Sequence, residues 1–376
     1  MTRIDFVYFD AGGGHRAAAT ALKTIIEGQR RPWQVRMVNL QELLDPLDVF
    51  RKTTGIRLQD VYNRMLAKGW TLGAGQGLKF VHALIRMYHR PGVQLLERHW
   101  DSTQPDMVVS LVPNFNRALH QSLKGTLPHV PFCTILTDFA DHPPHFWMVP
   151  QEQFLICGTP KAVEQAKTMG HAADKVFRVS GMVLRPKFYE PIHADRRAER
   201  IRLGLDPDRP TGLVLFGGQG SKKMVQIARK LSETQLILIC GKNQKLQNQL
   251  SELKAKAPHF IEGFTSEIPY YMHLADFFIG KPGPGSISEA VAMKLPVIVE
   301  RNAATLPQER YNADWVKEHN AGIVVESFST IAMAVKRLLK DLPSYQESVA
   351  KIENRAVFEI PDIFEGMLRK NRPQPD

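Results

Sequence analysis

Cysteine is scarce in this chain of 376 residues: only Cys133, Cys157 and Cys240, far apart. That excludes a disulfide scaffold and a zinc ribbon, and it suits a reducing compartment. No apolar run approaches the roughly 18 residues of a membrane span; the stretch around Leu236–Cys240 is strand-sized. Met1–Asp5 runs directly into a strand pattern, which is read as leaving no room for a signal peptide. No glycine cluster ends in Gly-Lys-Ser or Gly-Lys-Thr, so a Walker A loop is missing. A spaced Gly-x-Gly-x-x-Gly with its ribose-binding acid is also missing, and so is an Asp-x-Asp element in a sugar-nucleotide context. With 43% hydrophobic and 23% charged residues the chain is globular rather than disordered or collagen-like. The expectation is a soluble intracellular protein of two or three domains, at about 150 residues each.

Charge, in contrast, is plentiful and one-sided. The net charge is +11, so the partners are anionic, with nucleic acid and an anionic membrane face as the candidates. From Arg51 to Arg90 there are eight Lys or Arg against the single acid Asp60, which gives +7 of the +11. The same window holds Tyr62, Trp70, Phe80 and Tyr88 and is broken by Gly69, Gly73, Gly75 and Gly77. Such a segment fits a lipid headgroup layer or a solvated pair of helices. A nucleic-acid-binding role lacks a helix-turn-helix, zinc or RNP signature.

The pattern of strands and helices occurs twice. Ile4–Phe9 reads as a strand, Ala11–Gly14 as a glycine loop and Arg16–Glu27 as a helix. Further strands are expected at Val35–Leu40, Met107–Val112, Pro131–Leu136 and Phe154–Cys157. Beyond the prolines and charges that follow Arg185 the scheme restarts, with a strand at Thr211–Phe216, a loop at Gly217–Gly220 and a helix at Ser221–Leu231. Strands follow at Leu236–Cys240, Phe277–Ile279, Val297–Val299 and Gly322–Val325, and Tyr345–Lys370 reads as helical. The expected fold class is α/β, with two Rossmann-like domains facing across a cleft. The expected domains are 1–185 and 186–350. A helix within 351–376 is expected to pack back on the first domain.

Three motifs carry chemistry. Gly12-Gly13-Gly14-His15 sets a histidine at a helix start, after a loop that a substrate can approach closely. Histidine takes a proton near neutral pH, and a helix N-terminus disfavours its charged form; simple capping of the helix is the alternative. Gly280-Lys281-Pro282-Gly283-Pro284-Gly285-Ser286-Ile287-Ser288-Glu289 runs from a strand end into a helix whose bare N–H groups suit a pyrophosphate. Glu289 is placed for ribose hydroxyls, or forms a capping box with Ser286. Gln308-Glu309, after the next strand, fits a pair of sugar hydroxyls or a solvated loop.

Taken in order, these elements resemble the monogalactosyldiacylglycerol synthases and processive diacylglycerol glucosyltransferases, relatives of the MurG transferase in the GT-B superfamily. The resemblance covers nearly the whole chain. It rests on Gly12–Ala17, Thr137-Asp138-Phe139 with His142-Pro143, Val179-Ser180-Gly181 with Arg185-Pro186, and Phe216–Gly220. It continues through Cys240–Asn243, Gly263-Phe264, Lys281–Ala290, Gln308-Glu309 and Ala356-Val357-Phe358. The sequence departs from the family at Pro307, where members often carry Gly, and at Ser221-Lys222-Lys223.

The resemblance implies a UDP-sugar-dependent, inverting, metal-independent transfer of galactose or glucose to a membrane lipid hydroxyl such as diacylglycerol, with no cofactor. It implies that Gly217, Gly218, Gln219 and Gly220 hold the diphosphate, with Gly241 beside them. Phe264 and Thr265 would border the uracil, and Gly283, Pro284, Gly285 and Ser286 the phosphates. Glu289 would bind the ribose, and Gln308 and Glu309 the sugar. His15, behind Gly13 and Gly14, would be the base, with Asp138 assisting. The implied location is cytoplasmic, peripheral on the inner face of the membrane, with partners UDP-hexose, lipid acceptor and anionic membrane surface but no nucleic acid. The alternatives are a UDP-sugar epimerase or hydrolase of the same fold, and a basic nucleic-acid-binding protein.

Overall fold

The computed structural model describes residues 1–10, 14–47, 88–142 and 146–370. Gly13 and most of the basic window Arg51–Arg90 lie outside the described residues. Two compact units form: described residues up to Pro186 build the first together with the chain from Asn354 onward, and Lys187–Glu353 build the second.

The first unit is a six-stranded parallel sheet in the order β2-β1-β3-β4-β5-β6. Its strands are β1 Thr2–Tyr8, β2 Trp33–Asn39, β3 Met107–Ser110, β4 Phe132–Ile135, β5 Phe154–Cys157 and β6 Val176–Arg178. Every residue of β3 and β4 is buried, as strands covered by helices on both faces require. On one face the helices His89–Thr103 and Asn116–Thr126 bury Leu96, Trp100, Leu119 and Leu123 against Val7 and Val108. There the indole Nε1 of Trp100 donates to Ser122 Oγ at 2.9 Å, so the buried ring leaves no orphan donor.

The helix Gly14–Gly28 presents Ala18, Leu22 and Ile26 inward, spaced three to four residues apart. The last helix, Ala356–Lys370, packs beside it and sets Phe364 at 6.0 Å from Phe6. Arg31 fastens this helix by pairing with Asp362 and with Glu365 at 3.0 Å. The segment read as one helical tail is in fact two helices, Leu342–Ala350 and Ala356–Lys370. The first lies in the second unit and the other in the first, with the break where Asn354 Nδ2 donates to the Met182 carbonyl at 2.9 Å.

The second unit repeats the scheme in the order β12-β11-β10-β7-β8-β9, again all parallel. The strands are β7 Thr211–Leu215, β8 Gln235–Ile239, β9 His259–Glu262, β10 Phe277–Gly280, β11 Val297–Glu300 and β12 Gly322–Val325. In each sheet the direction of strand addition reverses once, between β1 and β3 in the first and between β7 and β10 in the second. Open α/β sheets bind ligands outside the carboxyl ends of the strands at such a reversal. The glycine loops after β7 and β10 therefore fall where the topology provides a site. Among the described residues no helix is long and apolar enough to cross a membrane.

Candidate active site

In the first unit, three neighbouring strand ends meet at one imidazole. His15 follows β1 at the start of its helix, Leu111 follows β3, and Thr137 follows β4. Thr137 Oγ1 lies 3.2 Å from His15 Nδ1, and the ring also donates to the Leu111 carbonyl. Burial of the ring lowers its pKa to about 4 against the smaller opposing pull of the Leu111 carbonyl. Desolvation, rather than the helix terminus expected from sequence, thus keeps His15 neutral. A neutral imidazole of this kind can accept a proton throughout the neutral range.

Asp138 is buried behind this group, and its Oδ2 accepts the Trp147 indole N–H at 2.8 Å. The Trp147 ring in turn lies 5.7 Å from His15, centroid to centroid. Trp147 is fully enclosed. Its backbone N–H donates to Asp141 Oδ1 at 2.6 Å, and its carbonyl accepts Asn116 Nδ2 at 2.8 Å. Asp141, Asn116 and Trp147 are spread along the chain, and nothing in their spacing marked them. Only the neighbouring Thr137-Asp138 and His142-Pro143 hinted at this corner.

In the second unit, the loop after β7 carries Gly217 to Gly220, and the loop after β8 carries Gly241. The two loops are joined by one backbone and one side-chain hydrogen bond. Lys242 N donates to the Gly218 carbonyl at 2.8 Å, and Asn243 Nδ2 to the Gln219 carbonyl at 3.2 Å. Gly220 and Gly241 have φ of +60° and +61°, and β-carbons there would lie 2.7 Å from the Cys240 oxygen and 2.3 Å from the Gly218 oxygen. Only glycine meets both demands.

After β10, the helix Pro284–Ala292 begins at the N-cap Gly283 without any side-chain cap. Ser286 is therefore three residues past the N-cap, and the capping box with Glu289 is not formed. The first-turn N–H groups of Gly285 and Ser286 remain available to an anion, and the helix dipole favours one there. Gly285 is exposed with open space around its α-carbon. Glu289, half-buried, sits four residues on, on the same helical face.

After β11, the short turn Pro307–Glu309 holds Gln308 half-buried and Glu309 buried. Glu309 Oε1 pairs with Lys281 Nζ at 2.7 Å, so the loop after β10 and the turn after β11 are tied by charge. Lys281 had no role assigned from sequence, although it stands in the strongest motif. Asn312, wholly buried, braces the same loop by donating to the Pro282 carbonyl at 2.9 Å. Lys223, at the start of the helix Lys223–Lys230, pairs with the buried Glu300 at the end of β11.

Phe264, on the loop after β9, is 64% exposed, unusual for so large an apolar ring, and Lys242 Nζ stands 5.2 Å over its face. Thr265 accepts the Glu267 N–H at 3.0 Å and shapes that loop.

Residues 15–183 match the family model of monogalactosyldiacylglycerol (MGDG) synthase, and residues 213–365 match that of the glycosyltransferase family 28 C-terminal domain. The chain is 28% identical to monogalactosyldiacylglycerol synthase 1, chloroplastic, of Arabidopsis thaliana, over 97% of this chain and 71% of that protein. It is also 28% identical to the probable synthase 2 of Oryza sativa subsp. japonica, over 93% of this chain and 77% of the other.

Among solved structures, MurG of Acinetobacter baumannii shares the fold at a TM-score of 0.64 with 12% identity, covering 97% of this chain and 100% of that one. The calicheamicin glycosyltransferase CalG4 does so at 0.60 with 14% identity, covering 99% and 100%. A putative UDP-N-acetylglucosamine 2-epimerase of Listeria monocytogenes does so at 0.61 with 14% identity, covering 100% and 98%.

Two parallel Rossmann-like sheets with glycine loops at their reversals make this a GT-B protein, and it is a UDP-sugar-dependent glycosyltransferase. Within that class, its first unit is similar to the monogalactosyldiacylglycerol synthases.

Proposed function

We propose that the protein transfers galactose or glucose from the UDP-sugar to the hydroxyl of a membrane lipid, diacylglycerol in the first instance, with inversion and without a metal. The observation that carries this reading is His15, a neutral imidazole held at the meeting of three strand ends. The lipid hydroxyl attacks C1 of the sugar while His15 accepts its proton. The bond from C1 to the β-phosphate oxygen breaks, and UDP leaves with the electron pair. A single displacement of this kind inverts the anomeric centre.

UDP departs with about two negative charges, which helix N-termini and backbone donors can stabilise. In this reading Gly217, Gly218, Gln219, Gly220 and Gly241 line the diphosphate from one side, and Gly283, Pro284, Gly285 and Ser286 from the other. The exposed Phe264 and Thr265 border the uracil, Glu289 takes the ribose, and Gln308 and Glu309 take the sugar hydroxyls. Gly14, with open space at its α-carbon, leaves room beside His15, and Asp138 acts by holding Trp147 against the imidazole. The basic surplus from Arg51 to Arg90 draws the protein to the anionic, cytoplasmic face of the membrane.

The test is the product. Protein incubated with UDP-galactose or UDP-glucose and diacylglycerol in anionic vesicles, with a chelator present, should yield an extractable glycolipid whose anomeric proton shows the β configuration. An α-linked product, loss of turnover on chelation or free sugar alone would count against inversion, metal independence or lipid transfer, respectively.

A further inference from the structure

Lys281 and Glu309 join the two loops that, in the reading above, hold the diphosphate and the sugar of the donor, and the inference rests on that reading. Glu309 is 7% exposed, and Lys281 Nζ is 2.7 Å from its Oε1. The pair lies against the start of the helix that is to receive the phosphates. A β-carbon at the N-cap Gly283 would stand 3.8 Å from Glu309 Oε1 and 3.3 Å from Lys281 Cε. A carboxylate so near the phosphate-binding turn is a liability. It favours sugar hydroxyls as an acceptor but repels a diphosphate, and its burial weakens solvent screening.

We propose that Lys281 is a positioning residue that acts through Glu309. Its ammonium neutralises the buried carboxylate, which can then accept hydroxyl hydrogen bonds from the sugar without expelling the diphosphate from Gly285 and Ser286. Lys281 is half exposed and reaches Glu309 along the surface of the loop, so that its ammonium can be replaced without opening the core. Gly283 supports this arrangement by having no side chain where the ion pair passes.

The experiment is a calorimetric titration of UDP into full-length wild-type protein, Lys281→Met, Lys281→Arg, Glu309→Gln and the double variant Lys281→Met/Glu309→Gln. Charge balance requires that Lys281→Met weaken UDP by about tenfold or more, and that adding Glu309→Gln restore affinity to within about threefold of wild type. Lys281→Arg should stay near wild type, and Glu309→Gln alone should bind UDP as tightly as wild type or more tightly. A double variant as weak as Lys281→Met would overturn the inference, because the lysine would then be serving UDP directly or merely shaping the loop. An unchanged Lys281→Met would overturn it too. Should Lys281→Met unfold, weakened UDP binding by Glu309→Gln alone would suffice to reject it. Wild-type protein that fails to bind UDP would overthrow the donor-site reading itself, an outcome distinct from the others.

Discussion

Trp147 donates its indole N–H to Asp138 at 2.8 Å and turns its ring toward the imidazole of His15, 5.7 Å away. The carboxylate that sequence nominated as a second base therefore already serves a buried donor. Asn at this position retains an acceptor oxygen, whereas Ala leaves the indole unpaired. Asp138→Ala should lose about 1–3 kcal/mol of stability and much of its kcat. Asp138→Asn should remain stable and active. Denaturant midpoints and turnover of the two variants check this; an inactive, well-folded Asp138→Asn would make Asp138 the base.

His15→Ala should reduce kcat by about a hundredfold or more while its UDP affinity, measured by titration, stays near wild type. Near-normal turnover would remove His15 from the chemistry.

The acid dependence has a definite sign. Burial lowers the folded-state pKa of His15 to about 4 from the 6.5 of the unfolded chain. Between those values the unfolded chain binds the proton and the folded chain does not, so this group's contribution to stability is full above pH 6.5 and declines as pH falls toward 4. At pH 5 the loss relative to neutral pH is about 2 kcal/mol. His15→Gln should show a smaller drop in denaturant midpoint between pH 7 and pH 5 than wild type. Equal drops would mean that the ring is not desolvated.

Two glycine substitutions separate fold from binding. Gly241→Ala places a methyl 2.3 Å from a backbone oxygen at positive φ and should destabilise the second unit by roughly 1–3 kcal/mol or more. Gly285→Ala meets open space inside a helix, where alanine is favoured by up to about 1 kcal/mol. It should keep or raise the melting temperature yet weaken UDP, because the added methyl keeps a phosphate from its N–H. Undiminished UDP binding by a folded Gly285→Ala would move the phosphates elsewhere.

The three thiols should be silent. Cys133, Cys157 and Cys240 are all buried. Burial raises the pKa of Cys133 strongly, that of Cys157 to about 12 and that of Cys240 to about 11. Maleimide should label none at pH 7.5 until denaturant is added, as mass spectrometry would record. Rapid labelling with loss of activity would contradict the packing around them.

Strands were readable where an apolar run is uninterrupted: β5 Phe154–Cys157 and the edge strand β12 Gly322–Val325 agree with expectation residue for residue. The strands that escaped notice, β6 Val176–Arg178 and β9 His259–Glu262, are both sheet edges. Half-exposed along their length, they carry too little hydrophobic signal to stand out. The glycine loops showed themselves through composition. The partners of the site residues did not: Trp147 folds back on Asp138 within the connection between β4 and β5, and Lys281 meets Glu309 across two loops, at separations no local pattern encodes. Desolvation of His15 was equally hidden, since it depends on Leu111 and Thr137 arriving from two other strands.

The most direct test of the account is UDP release with UDP-galactose and UDP-glucose, each measured with and without diacylglycerol in anionic vesicles. The account predicts release that requires the lipid and matches glycolipid formed, mole for mole. Release at the same rate without lipid would contradict it and make the protein a UDP-sugar hydrolase.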